Sequence, residues 1–285
     1  MFKYKTLTLV VSSTILATLA GSSLYAADVD LPSRLPAVSG INGKIEASAG
    51  WADIDGLDDT GTFRGGASLS IPVGDLFGLQ ADFAAVNQFN DTAIGGTLHA
   101  FTRDPNAYLF GAIGGFGHLG STDLYYVGPE VELYLDSVSI EATGGYMNVD
   151  FGGSSRQDVF AIGDLAFYAT ENFRLDIGAS TIAGFKSGHA GLEYLLADTG
   201  VPVALTLDGR LGDDNFRSIS AGFKFYFGGD SSKSLIHRQR EDDPRNRSLD
   251  IFAAAGSAFN PPGSSVPVDP CVANPPGEGG CPFPD

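Results

Sequence analysis

From Gly43 to Phe227 apolar and polar residues alternate in stretches of about ten, each closed by a turn signal, which is the period-two pattern of strands with two unlike faces. The pattern predicts twelve strands. In the first, Lys44 to Trp51, Ile45, Ala47, Ala49 and Trp51 share one face and Lys44 and Glu46 the other. The second sets Phe63, Ala67, Leu69 and Ile71 against Arg64, Ser68 and Ser70, and the third sets Leu79, Ala81, Phe83 and Ala85 against Gln80 and Asp82. The fourth opposes Ile94, Leu98 and Ala100 to Thr97, His99, Phe101 and Arg103, whereas the fifth, Tyr108 to Phe116, is apolar or glycine on both faces.

The second half repeats the theme. Glu130 and Glu132 oppose Val127, Val131, Leu133 and Leu135, Glu141 opposes Ile140, Ala142 and Tyr146, and Asp164 opposes Leu165 and Phe167. Arg174 and Asp176 oppose Phe173, Leu175, Ile177 and Ala179, while His189 and Glu193 oppose Ala190, Leu192 and Tyr194. Asp208 and Arg210 then oppose Val203, Leu205 and Leu207, and Lys224 opposes Ile219, Ala221, Phe223, Phe225 and Phe227. Tight turns (Pro72 to Leu76, Asp104 to Asn106, Asp136-Ser137, Ala169 to Asn172, Asp198 to Gly200) alternate with longer connections such as Asp53 to Thr62 and Asp150 to Asp158. An even number of antiparallel strands, with turns at one end and loops at the other, predicts an all-β fold. It is a transmembrane, antiparallel, up-and-down β-barrel of about twelve strands, with a soluble sandwich or lipocalin-like barrel as the alternative.

The aromatic residues separate these two. On the apolar track Trp51, Phe63, Phe116, Tyr125 and Tyr146 fall at the loop end, and Tyr108, Phe110, Phe167, Phe173, Phe225 and Phe227 at the turn end. Two such belts are expected where rings sit at two membrane interfaces, and a soluble core has no reason to band them. The apolar face then meets lipid. The charged face (Lys44, Glu46, Arg64, Asp82, Arg103, Glu130, Glu132, Glu141, Asp164, Arg174, Asp176, Glu193, Asp208, Arg210, Lys224) lines the lumen, since a basic residue turned to the bilayer midplane would cost about 2–4 kcal/mol.

The last strand carries a further signal. Ser220-Ala221-Gly222-Phe223-Lys224-Phe225-Tyr226-Phe227 resembles the terminal assembly signal of bacterial outer-membrane β-barrels, with Ser220, Gly222, Phe225 and Phe227 at its defined positions. The departure is that this chain continues for 58 residues beyond Phe227, where the family usually ends. The resemblance implies residence in the outer membrane of a Gram-negative bacterium, insertion by the barrel assembly machinery, and contact with outer-membrane lipid and lipopolysaccharide. A small porin-like barrel is the expected family.

Composition sharpens this picture. Seventeen Lys and Arg against 34 Asp and Glu, with no basic block, exclude a nucleic-acid-binding role. Met1–Ala26 reads as a signal peptide with Lys3 and Lys5 ahead of a short apolar stretch, and residues 27–42 as a lead into the barrel at 43–227. Nine acids against six bases in the lumen predict a narrow passive channel for ions or small solutes with a weak preference for cations. A non-conducting structural or surface barrel is the alternative. The charges would then pair across the lumen and fill it.

An outer-membrane lipid hydrolase is less well supported, and no enzymatic activity or cofactor is expected. The family of twelve-stranded phospholipases carries a His-x-Ser pair that none of the four histidines here reproduces, and His118 with Ser121 on one loop makes no triad. Asp53 to Asp59 is acidic but lacks the spacing of a calcium loop, so no metal is expected. The region 228–285 is mixed in charge to Arg247, mildly apolar and helix-prone from Ser248 to Phe259, and Pro/Gly-rich thereafter. Since both barrel ends lie at the tight turns, it is expected in the periplasm as a flexible extension. Plugging the lumen and touching a periplasmic partner are the alternatives. Cys271 and Cys281 are placed to close a small disulfide loop.

Overall fold

The computed structural model describes residues 35–55, 59–89, 91–196 and 201–255. The expected signal peptide, Cys271 and Cys281, the turn Asp198 to Gly200 and the centre of the first loop lie outside these residues.

Twelve strands follow one another: β1 (Asn42–Asp53), β2 (Thr60–Val73), β3 (Phe77–Gln88), β4 (Asp91–Asp104), β5 (Tyr108–Leu119), β6 (Thr122–Leu135), β7 (Val138–Asp150), β8 (Ser155–Thr170), β9 (Phe173–Ile182), β10 (Phe185–Leu195), β11 (Val203–Gly212) and β12 (Arg217–Gly228). Each pairs antiparallel with its neighbours in sequence, and β12 returns to β1 with Phe225 opposite Ile45, so the sheet is a closed barrel. Closure leaves no unpaired edge. The side chains split as the alternation requires. Ile45, Leu69, Phe83, Leu98, Val127, Leu165, Ile177 and Phe223 are exposed on the outside, and Trp51, Phe116, Tyr125 and Tyr146 are exposed near the loops.

The inside is not open water. After β12, Gly228 and Gly229 take left-handed backbone conformations (φ +73° and +60°) that reverse the chain, a conformation glycine adopts without strain. Ser232 then donates through its backbone N–H and its hydroxyl to Asp230, which pulls that exposed carboxyl below its ordinary pKa. The chain enters the barrel as α1 (Leu235–His237), widens into a π-helical turn over Arg238–Asp242, runs through Asp243 to Asn246, and ends as α2 (Arg247–Ala254). The expectation of a flexible periplasmic extension fails for this segment. Asp242, Asp243, Asn246, Arg247, Ile251 and Phe252 are all buried inside the barrel. The expected helix from Ser248 is present as α2, and residues 256–259 lie outside the described ones.

The lead contributes too. Ala37 and Val38 are buried at the turn end, Val38 among Phe101, Leu109 and Tyr134. The two-faced apolar character of β5 now has its reason: Leu109 packs against the lead, and Ile113 joins the cluster that holds α2.

Candidate functional site

The site is the barrel interior together with the segment that fills it. Alternation directs the fifteen charged residues predicted for the lumen inward; twelve are buried, and Asp176, Asp208 and Lys224 are half-buried. They fall into two groups.

One group pairs wall to wall. Arg64 donates to Asp208 (2.9 Å), Arg174 to Glu141 (3.1 Å), and Lys224 to Glu193 (2.9 Å) with Glu46 3.7 Å away. Arg210 donates to the Ser187 hydroxyl at 3.4 Å.

The other group grips the inner segment. Lys44 donates to Asp243 and to the Pro244 carbonyl, both at 2.5 Å. Asp82 accepts the backbone N–H of Arg247 at 2.7 Å and His99 Nε2 at 2.9 Å, while His99 Nδ1 lies 3.0 Å from Glu130. Arg103 ties the lead to the inner segment, donating to the carbonyls of Ala37 (2.6 Å) and Asp242 (2.7 Å). The Arg247 guanidinium lies 3.9 Å from Glu130, 3.7 Å from Glu132 and 3.1 Å from Asp250, and Arg245 lies 3.3 Å from Asp164 and 3.8 Å from Glu141. Two arginines therefore sit among the lumen acids. Buried charges are tolerable only in such company, because desolvation costs several kcal/mol per ion and must be repaid by partners.

Neutral groups complete the seat. Asn246 caps α2 by accepting the Leu249 N–H at 2.9 Å, and its amide nitrogen donates to the carbonyls of Ala67 and Phe83 on β2 and β3. Ser248 shares a hydrogen bond with Thr97, which also meets Tyr126. Gln239 receives Tyr168 and Arg174 and donates to Glu193, and Arg240 donates to Ser139 and the Val138 carbonyl.

Towards the loops the interior turns apolar. Ile251, Phe252, Ala254 and Ala255 lie in a cluster with Ile54, Val86, Met147, Val149, Phe160, Ile182, Phe185 and Phe216. Below it, along the β10–β12 side and β1–β2, a cavity of about 120 Å³ remains between the wall and α2, lined by Glu46, Arg64, Asp208, Lys224 and Asp250 among others.

Sequence reasoning missed the inner segment's Gln239, Arg240, Asp242, Asp243, Arg245, Asn246 and Arg247. One signal pointed to them. Tyr126, Met147, Val149, Phe160, Ile162 and Phe185 are apolar residues on the track facing away from lipid, and such residues need a partner inside.

Of the assembly-signal positions, Ser220 faces the interior, Phe225 is exposed on the outside, Phe227 is half-buried, and Gly222 pairs with Ser48 across the closing β1–β12 seam. Each described histidine has a carboxylate within 4 Å: His99 as above, His118 with Asp123, His189 with Asp164, and His237 with Glu241. Asp164, Asp176 and His189 present one donor atom each within 4.8 Å of one another, but Arg245 already supplies the positive charge there. In the first loop Asp53 meets Arg217, Asp55 meets Asn215, and Asp59 meets Trp51.

No protein-family model matches the chain, and no curated protein does either. Among solved structures, the chain is similar to the KdgM porin in complex with disordered oligogalacturonate (10% identity, TM-score 0.49, covering 65% of this chain and 99% of that one). It is similar to the NanC porin at 10% identity and TM-score 0.46, over 64% of this chain and 98% of that one. The Acinetobacter baumannii outer membrane protein Omp33 aligns at 11% identity and TM-score 0.42, over 66% and 98%. Similarity at this level is a likeness of barrel shape.

Proposed function

We propose that the chain is an outer-membrane barrel that rests closed, plugged by its own residues 233–255. When that plug shifts, it passes ions or small solutes passively. The outer-membrane reading rests on the apolar outer surface with an aromatic ring at either end, and on strands long enough to cross a bilayer. The observation that carries the plugged state is the placing of Arg245 and Arg247 among Glu130, Glu132, Glu141 and Asp164.

The middle of the plug and its loop end oppose flow in different ways. In the middle, fixed charges of both signs neutralise one another, so a permeating ion finds little net field. Near the loops an apolar constriction excludes water, and ions with it. Burial of Ile251 and Phe252 alone favours the closed state by about 3–6 kcal/mol as an upper estimate. Withdrawal would leave nine acids and six bases on the lumen wall, and the cation preference belongs to that open state. The chain's own residues provide the passage and its gate, and no enzymatic step is assigned.

The apolar cluster around α2 favours a second reading, a barrel that never conducts and serves as structure or surface. Single-channel recording in planar bilayers separates the two. The full chain should be nearly silent, and a chain carrying both Arg245→Glu and Arg247→Glu should give steps that prefer cations. Silence from that variant, with heat-modifiable gel mobility confirming a folded barrel, would leave the non-conducting reading.

A further inference from the structure

The plug enters and leaves at opposite ends of the barrel. It enters at the tight turns: the Leu235 N–H donates to the Asn172 side chain, the Ile236 N–H donates to the Glu171 carbonyl, and both partners lie in the β8–β9 turn. Leu235 itself packs with Leu195, Ala204 and Tyr226, at the turn ends of β10, β11 and β12. It leaves among the loops. Ala254 and Ala255 belong to the cluster that includes Ile54 before β2, Phe89 before β4, Phe151 before β8, Ala183 before β10 and Phe216 before β12.

The length of the path agrees. Four residues, Asp243 to Asn246, rise by about 3.3 Å each if extended. The eight of α2 rise by about 1.5 Å each. Together they carry the chain roughly 25 Å, the height of the apolar band of a transmembrane barrel. No reversal follows within the described residues: α2 ends at Ala254, its cap Ala255 keeps a right-handed helical conformation, and both lie among the loop-end residues.

We infer that the plug is a threaded segment, and that the barrel delivers residues 256–285 to the loop face, where they are presented outside the cell. The inference goes beyond the plugged channel but rests on its membrane orientation, in which the tight turns face the periplasm. It replaces the expectation of a periplasmic tail with the opposite side of the membrane. It also places Cys271 and Cys281 on the surface, where an oxidising exterior and external thiol reagents reach them.

The test uses the full chain with one epitope at one of three places: after Asp285, at Gly153 in the β7–β8 loop, or at Gly74 in the β2–β3 turn, both glycines having open space around them. Antibody binding to intact cells is compared with binding after permeabilisation. The expected result is that the epitopes after Asp285 and at Gly153 are bound on intact cells, while that at Gly74 gains several-fold on permeabilisation. Binding at Gly153 but not after Asp285 on intact cells would overturn the threading and leave the membrane orientation standing. No binding at Gly153 on intact cells would overturn the orientation, and the threading with it. A second measurement avoids the epitope. In the untagged chain, after mild reduction, a membrane-impermeant maleimide should react with Cys271 and Cys281 on intact cells, and reaction only after permeabilisation would overturn the inference.

Discussion

A Cβ atom added to Gly117 would lie 2.6 Å from Cε1 of Phe252, so the phenyl ring at the top of the plug rests directly on the β5 backbone. The next nearest atoms to that position are Phe252 Cζ at 2.7 Å and Leu124 Cδ2 at 3.6 Å, so the closest approaches are all to side chains. A larger residue there therefore strikes the plug and spares the strand pairing.

Gly117→Val should thus loosen α2 without unfolding the barrel. Overpacking of this kind costs about 1–3 kcal/mol, which raises the open-to-closed ratio roughly 5-fold to 150-fold. Phe252→Ala should act in the same direction from the other side of the contact, at about 3–5 kcal/mol. Open probability in planar bilayers checks both, and barrel integrity is read from heat-modifiable mobility. Unchanged silence from both folded variants would count against the plug as the gate.

Asn246 bonds to three backbone groups at once: the Leu249 N–H and the carbonyls of Ala67 and Phe83. Asn246→Ala removes a helix cap worth about 1 kcal/mol and two wall contacts of about 1 kcal/mol each. The expected outcome is faster hydrogen exchange in α2 and in residues 243–246, with β2 and β3 protected as before.

Arg103 joins the lead to the plug through the carbonyls of Ala37 and Asp242. Arg103→Ala strands two buried carbonyls, at about 1–3 kcal/mol each, and should free both segments together. Limited proteolysis from the turn side checks this: cleavage near Ala37 and near Asp242 should rise in step, whereas a rise at one alone would mean that the two are independent.

Leu98 is exposed near the middle of β4, opposite Ala81 and Gly114. On a lipid-facing surface Leu98→Arg costs about 2–4 kcal/mol, while on a surface in water it would be close to neutral. The yield of heat-modifiable barrel in the membrane fraction should fall with Leu98→Arg and hold with Leu98→Phe.

The barrel was legible in the sequence because its cause is local. A strand between lipid and a polar interior must alternate with period two, so residues such as Phe83 beside Asp82 declare their faces without reference to anything distant. The twelve strands and the inward charges follow from that rule, whereas the register of the closing seam, with Phe225 opposite Ile45, does not. The choice of plug over the other readings of the segment after Phe227 was not legible. Lys44 meets Asp243 across 199 residues and Asp82 meets Arg247 across 165, and a mixed-charge segment has the same composition whether water or a complementary wall surrounds it. The sequence by itself determined a barrel with a charged interior. Only the tertiary structure decided that the interior is occupied by residues 233–255, because closing the sheet is what brings the acids of β6 to β8 and the apolar ends of the strands around one volume that the two arginines and α2 can fill.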